Sequence, residues 1–196
     1  SWATHRGAPA SARGFFDTPL EWSTQLLARR VWARMKQHAE DGSLERIPGQ
    51  DGRPGGGWLF AELLKPLLAA TPELELHAAG HSTGPILLSR FMPLLMDAGH
   101  SFRTMSYLAP AIRTDVFTRR VLPTLQADPR SPGVRELTMY TMTDAAERRD
   151  NVAVGYRKSL LYYVRNACED DTDGRVLGLA CDLVADPNLR AVFGGV

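Results

Sequence analysis

The sequence predicts an α/β protein: a parallel sheet flanked by helices. Two observations carry this class. Residues 74–80, 102–108 and 136–142 have the apolar or alternating pattern of strands, and segments of helical periodicity separate them. Strands spaced by helices read as βαβ units, whose strands run parallel. The 196 residues, 21.6 kDa in mass, fit a single domain over residues 1–196.

The elements are taken in chain order. Residues 1–18 are rich in Gly, Ala, Ser, Pro and Arg and read as a loop, one that leaves a strand whose body precedes Ser1. From residue 20 to 39, Leu20, Leu27, Val31, Ala33 and Met35 recur near helical spacing, with Trp22 and Trp32 beside the stripe. Thr18-Pro19 supplies an N-cap followed by Pro at the first helical position, and Asp41-Gly42 closes the helix. Residues 43–57 are dense in Gly and Pro and form a flexible loop. Gly55-Gly56-Gly57 is not read as a phosphate loop, because no strand precedes it and no Gly-Lys-Ser/Thr follows. A second helix is expected over residues 58–70, with Leu59, Leu63, Leu67 and Ala70 on one face and a kink at Pro66.

The strand at 74–80 runs directly into an apolar helix at 85–96. The strand at 102–108 follows. Residues 116–125 are expected to be helical with Asp115 as N-cap, and the strand at 136–142 precedes a helix at 156–167.

Composition removes several function classes. Apolar residues make up 44% and charged residues 23%, as in an ordinary globular protein. Lys plus Arg total 23 against 22 for Asp plus Glu, a formal charge of +1, which offers no general attraction to nucleic acid. No apolar run is long enough to span a bilayer. Cys168 and Cys181 are too few for a disulfide framework or a tetrahedral zinc site and read as small apolar residues in helical surroundings. No cofactor or metal is expected, and the low cysteine count leans toward the cytoplasm.

The chemistry is concentrated in Gly80-His81-Ser82-Thr83-Gly84, a Gly-x-Ser-x-Gly pattern placed where a strand ends and a helix begins. A strand-to-helix turn this tight strains its central residue and lifts the Ser82 hydroxyl above the carboxyl edge of the sheet. The positions two before and two after the serine crowd together and are expected to be small, as Gly80 and Gly84 are. The Thr83 N–H, at the start of a helix, is left to stabilise a developing oxyanion.

On this motif and its setting, residues 57–165 resemble the α/β-hydrolase superfamily. The stretches TMYTMTDAAERRDN and YRKSLLYYV are also similar to segments of little-characterised bacterial members. The resemblance implies a serine hydrolase of carboxylic esters or related acyl bonds, acting on a small-molecule acyl substrate. Ser82 would be the nucleophile, Thr83 would supply an oxyanion N–H, and Gly80, His81 and Gly84 would form the elbow. The superfamily's acid follows a strand after the nucleophile, and its His follows the last strand.

Asp144 and Asp150 are both placed like that acid; Glu147 on the same turn and Asp115 after the second strand are weaker placed. The base is the departure from the pattern. No His lies after Asp150. His5 belongs to a loop and His38 to a helix end. His77 reads as a core or helix-facing strand residue, His81 projects away from Ser82, and His100 closes a turn at the opposite end of the sheet. The sequence also begins at Ser1-Trp2 without Met. The expectation is therefore a central-to-C-terminal portion of a hydrolase, with its first strands before Ser1 and its His after Val196, nearly inactive when isolated. The alternative reading is a hydrolase-like binding or interaction module without catalysis.

Overall fold

A computed structural model describes residues 17–125, 128–151, 156–169 and 174–193, with side chains from residue 26 onward. The expected N-terminal loop and His5 lie outside the described residues. Three parallel strands form one sheet in chain order: β1 (Leu76–His81), β2 (Phe102–Leu108) and β3 (Leu137–Tyr140). Helix α3 (Gly84–Met96) connects β1 to β2, and α4 (Thr114–Arg120) with the short α5 (Leu122–Leu125) connects β2 to β3. The α/β class is thus observed, and β2 occupies the residues expected of it.

Both connections pack on one face of the sheet. A Cβ on Gly80 would lie 2.9 Å from the Pro85 ring of α3. Its register partner Tyr107 meets the Phe117 ring of α4 edge-on at 6.4 Å between centroids. This face holds the main core, in which Met105, Tyr107 and Phe117 are joined by Met92 and Leu95 of α3. Burial of each such side chain contributes about 1.5–3 kcal/mol. The other face carries His77, Ala79 and His81 of β1 beside Thr104, Ser106 and Leu108 of β2, then Thr138 and Tyr140 of β3. These residues are exposed or half-buried, so the described helices flank the sheet on one side only.

Helix α1 (Asp17–Asp41) contains the expected helix but begins before Thr18, so Thr18-Pro19 does not mark its start. Its expected inward stripe points outward: Leu27 is 72% exposed, and Val31 and Met35 are exposed too. The helix buries Trp32 instead, whose Nε1 donates to the buried Glu169 carboxylate at 2.5 Å. Lys36, one turn on, donates to the other oxygen at 2.8 Å. A buried carboxylate is stable only where donors meet it, so this pair sets which side of α1 docks. Arg90 of α3 binds Glu40 of α1 through two nitrogens, at 2.8 and 3.2 Å.

Helix α2 (Gly56–Ala70) shows the same inversion. Leu59, Leu63 and Leu67 are exposed, while Ala61 and Leu68 are buried and Leu64 packs beside them against α3. The helix is apolar nearly all round, so periodicity did not single out the side that packs. The expected 116–125 helix is divided at Val121, two residues before Pro123, which has no N–H for the ladder. Arg113, not Asp115, is its N-cap residue, and Asp115 accepts from Arg113 Nε at 2.8 Å and pairs with Arg119 at 2.9 Å.

After β3 come α6 (Asp144–Arg149), then α7 (Leu160–Tyr163), which runs into a π-helical turn over Val164–Cys168, and finally α8 (Ala180–Ala185) and α9 (Pro187–Val192). The helix expected from 156 starts at Leu160 because Ser159 caps it, its hydroxyl accepting from the Tyr162 N–H. The π-helical turn packs against α1 and ends at Glu169. Among the described residues, no helix is long and apolar enough to cross a membrane.

Candidate active site

The site residues collect at the carboxyl end of the sheet. His81 is the last residue of β1, and Ser82 follows with φ of +53°, a left-handed conformation that side-chain-bearing residues rarely adopt. Two hydrogen bonds hold it there. The Ser82 N–H donates to the Leu108 carbonyl at 3.0 Å, and the Ala111 N–H donates to the Ser82 carbonyl at 2.7 Å. The turn after β1 is thereby fastened to the chain leaving β2, where Ala109 also has positive φ, +42°.

Gly80 is required by close approach, since any Cβ there would press on the Pro85 ring and backbone nitrogen and on Leu88. At Gly84 a Cβ would meet open space. The crowding expected on both sides of the serine therefore falls on Gly80 alone, because Gly84 opens α3 with nothing within 4 Å of where its Cβ would stand.

Thr83 precedes α3 as its N-cap residue, and its N–H has no acceptor among the described residues. The Ser82 hydroxyl is half-buried and likewise makes no hydrogen bond among them. Around it, Leu108, Tyr140 and Met142 are exposed and form an apolar rim at the strand ends.

The acids differ in their surroundings. Asp144 opens α6, with Thr143 as N-cap. It accepts from Arg148 Nε at 2.6 Å and from the Tyr162 hydroxyl. Burial pushes its carboxyl up, but Tyr162 and Arg148 outweigh that and hold it below the usual range. Cys181 Sγ lies 3.4 Å from the same hydroxyl. Asp150 ends α6 in an exposed position, with Oδ1 accepting the Asn151 N–H at 2.8 Å. Glu147 is 1% exposed, and among the described residues neither carboxyl oxygen has a hydrogen-bond partner of good geometry, the Ser159 hydroxyl being the polar group nearest in effect. Burial, with the nearby Asp150 and Asp144 charges, pushes its carboxyl up. Sequence periodicity gave no sign that Glu147 would be buried.

Among the described residues, no histidine completes the constellation. His77 is not in the core: its Nδ1 lies 2.7 Å from Thr104 Oγ1 on the open face, with Nε2 3.7 Å from Glu75. His38 sits in the last turn of α1. His100 precedes β2, at the amino end of the sheet, as expected; Leu76 pairs with Phe102 there, whereas His81 pairs with Leu108 at the Ser82 end. His81 is exposed beside Ser82. Both cysteines are free, and burial pushes the Cys168 thiol up to about 11, so it is an unreactive apolar residue. Among the described residues, no cluster of three or more His, Cys, Asp or Glu is placed to hold a metal ion.

Comparison with protein-family models, with curated proteins and with solved structures found no match to this chain.

Proposed function

We propose that this chain carries the nucleophile and acid of a serine hydrolase of the α/β-hydrolase kind, acting on carboxylic esters or related acyl bonds. The observation that carries the reading is the φ of +53° at Ser82 between a parallel strand and a helix, with the Thr83 N–H beside it, which has no acceptor among the described residues. Strain of this kind is retained where the surroundings over-determine it, and functional turns are where it concentrates.

In this mechanism Ser82 Oγ attacks the acyl carbonyl as an imidazole base takes its proton. The carbonyl oxygen becomes an oxyanion held by the Thr83 N–H. The tetrahedral adduct collapses, the C–O bond to the leaving alcohol breaks, and the alcohol takes the proton from the imidazole. Water then repeats the sequence on the acyl-serine and releases the carboxylic acid. Asp144 orients the imidazole. It starts the helix after β3, two strands from β1, so the strand ends are on the order of 10 Å apart. That span suits an imidazole between serine and acid. Asp150, at the far end of α6, is the second candidate. The base is a group that the described residues do not supply, and the exposed Leu108, Tyr140 and Met142 suit an apolar acyl chain.

The Ser82 hydroxyl, which makes no hydrogen bond among the described residues, favours a second reading, a non-catalytic binding module on the same scaffold. Exposure of the protein in its native source to a fluorophosphonate, followed by intact-mass and fragment analysis, separates the two. An adduct on Ser82, absent from Ser82→Ala, is the expected result. No adduct at Ser82 would overturn the catalytic reading and leave the binding module.

A further inference from the structure

At the end of the sheet opposite Ser82 lies a cleft of about 480 Å³, bordered by the end of α2, the turn before β2 and the approach to β3. One wall is apolar, built from Leu68, Pro72, Leu74 and Leu76. The polar lining carries two guanidinium groups, Arg103 and Arg135, with Ser101 and His100, and one carboxylate, Glu75, on the Arg103 side.

Arg135 is fixed by uncharged partners. Its Nη2 donates to Ser101 Oγ at 2.8 Å and to the Ser131 carbonyl at 2.7 Å. Ser101 Oγ is itself held by the Gly133 N–H at 3.3 Å. No carboxylate pairs with Arg135 among the described residues, so its charge is uncancelled while its orientation is set. A guanidinium has five donors in a rigid fork, and most of them remain open here. Among the described residues Arg103 has only Glu75, at 3.8 Å, and that carboxylate is shared with His77. An apolar wall with the oriented Arg135 guanidinium opposite, and the exposed Arg103 on the same cleft, is complementary to a molecule with an apolar body and an anionic head.

We propose that this cleft binds an organic carboxylate with a compact aromatic or aliphatic body, its carboxylate meeting Arg135 and Arg103 and its body lying on Leu68, Pro72 and Leu74. The volume is that of an ordinary small-molecule site. With Nη2 committed to Ser101 and Ser131, a carboxylate meets Arg135 through a charge-assisted hydrogen bond from its open Nη1 or Nε N–H. Six residues of β1 separate the cleft from Ser82, on the order of 20 Å, so the cleft is a place distinct from the elbow.

Isothermal titration calorimetry with 2-naphthoate, and with 2-naphthamide as its uncharged counterpart, tests this. The expected result is one saturable site for 2-naphthoate, with 2-naphthamide at least ten-fold weaker. Arg135→Gln should weaken 2-naphthoate at least ten-fold, Arg103→Gln several-fold and Arg135→Lys less than Arg135→Gln, while Arg130→Gln leaves it unchanged. Equal affinity for the two compounds, no saturable 2-naphthoate site, or full affinity in Arg135→Gln would overturn the proposal. Should Arg135→Gln lose its native circular dichroism, full affinity in Arg103→Gln would overturn it instead.

Discussion

The Ser82 N–H donates to the Leu108 carbonyl at 3.0 Å, and this bond ties the turn after β1 to the last residue of β2. With the Ala111 bond to the Ser82 carbonyl, it holds Ser82 at a φ where a Cβ costs about 1–2 kcal/mol. Ser82→Gly relieves that cost but adds freedom to the unfolded chain, so the expected net gain is about 0.5–1 kcal/mol. Ser82→Ala keeps the strain and should stay within about 0.5 kcal/mol of the parent. Urea unfolding of the two variants side by side is the measurement. A Ser82→Gly protein less stable than Ser82→Ala would contradict strain at this position.

The two glycines of the motif should respond differently. A methyl group on Gly80 lands 2.9 Å from Pro85, whose backbone cannot shift without moving α3. Gly80→Ala is expected to cost about 1–3 kcal/mol, the usual range for an overpacked core. Gly84→Ala adds its methyl to open space at the first residue of a helix and should be neutral or stabilising by up to about 1 kcal/mol. Thermal unfolding of both variants decides it; equal losses would mean that the turn, not contact with Pro85, limits both positions.

Strand positions and the serine turn were legible in the sequence because β1 and β2 are bounded by distinct breakers, Gly-rich at one end and Asp-Ala-Gly at the other. The docked faces of α1 and α2 were not. Each helix has apolar residues on more than one side, and the side that packs was decided by contacts remote in sequence: Glu169 receiving Trp32, and Met92 and Leu95 of α3 facing Ala61 and Leu68. The same limit applies to Glu147. In a run of six charged or small residues nothing marks one carboxylate for burial, and only the fold of the 156–163 segment against α6 does so, through the Ser159 N–H bonding the Glu147 carbonyl at 2.8 Å. His77 was misplaced for a related reason, because a strand of a parallel sheet is expected to be covered on both faces and β1 is covered on one.

Glu147 should make stability fall as pH rises. Its folded carboxyl is held above the ordinary value of 4.5, so the folded state keeps a proton that the unfolded chain has lost. Stability from this group is present below the unfolded value and declines as pH climbs through the folded one. Glu147→Gln removes the buried charge and should gain on the order of 1–2 kcal/mol at neutral pH, with a flatter pH profile. Chemical denaturation from pH 4 to pH 8 checks this. A variant that parallels the parent across that range would show that Glu147 does not titrate in the folded protein.

The acids at the carboxyl end make distinct predictions for labelling of the native protein. Asp144 is oriented by Tyr162 and Arg148, whereas Asp150 is exposed and, among the described residues, accepts only the next residue's N–H. Replacing the acid of a serine–imidazole–carboxylate array by its amide costs orders of magnitude, because the wrong tautomer is then favoured. Fluorophosphonate labelling of Ser82 should therefore slow at least ten-fold in Asp144→Asn and stay within two-fold of the parent in Asp150→Asn. The reverse pattern would transfer the role to Asp150.

The docking of α1 rests on Glu169, which is 2% exposed and receives Trp32 Nε1 and Lys36 Nζ, with Arg113 Nη1 at 3.7 Å. Removing the carboxylate leaves the buried Trp32 indole N–H and the partly exposed Lys36 ammonium without their acceptor. Glu169→Ala is expected to cost about 3–5 kcal/mol, as breaking a buried ion pair does. Lys36→Met keeps the stem and the Trp32 bond while removing only the partly exposed charge, so its cost should be well below that of Glu169→Ala. Amide hydrogen exchange resolves where the loss falls. In Glu169→Ala the amides of α1 and of the Val164–Cys168 turn should exchange faster while those of β2 keep their protection. If α1 keeps its protection in Glu169→Ala, the apolar contacts of Trp32 with Leu161 and Val164 hold the helix without the carboxylate.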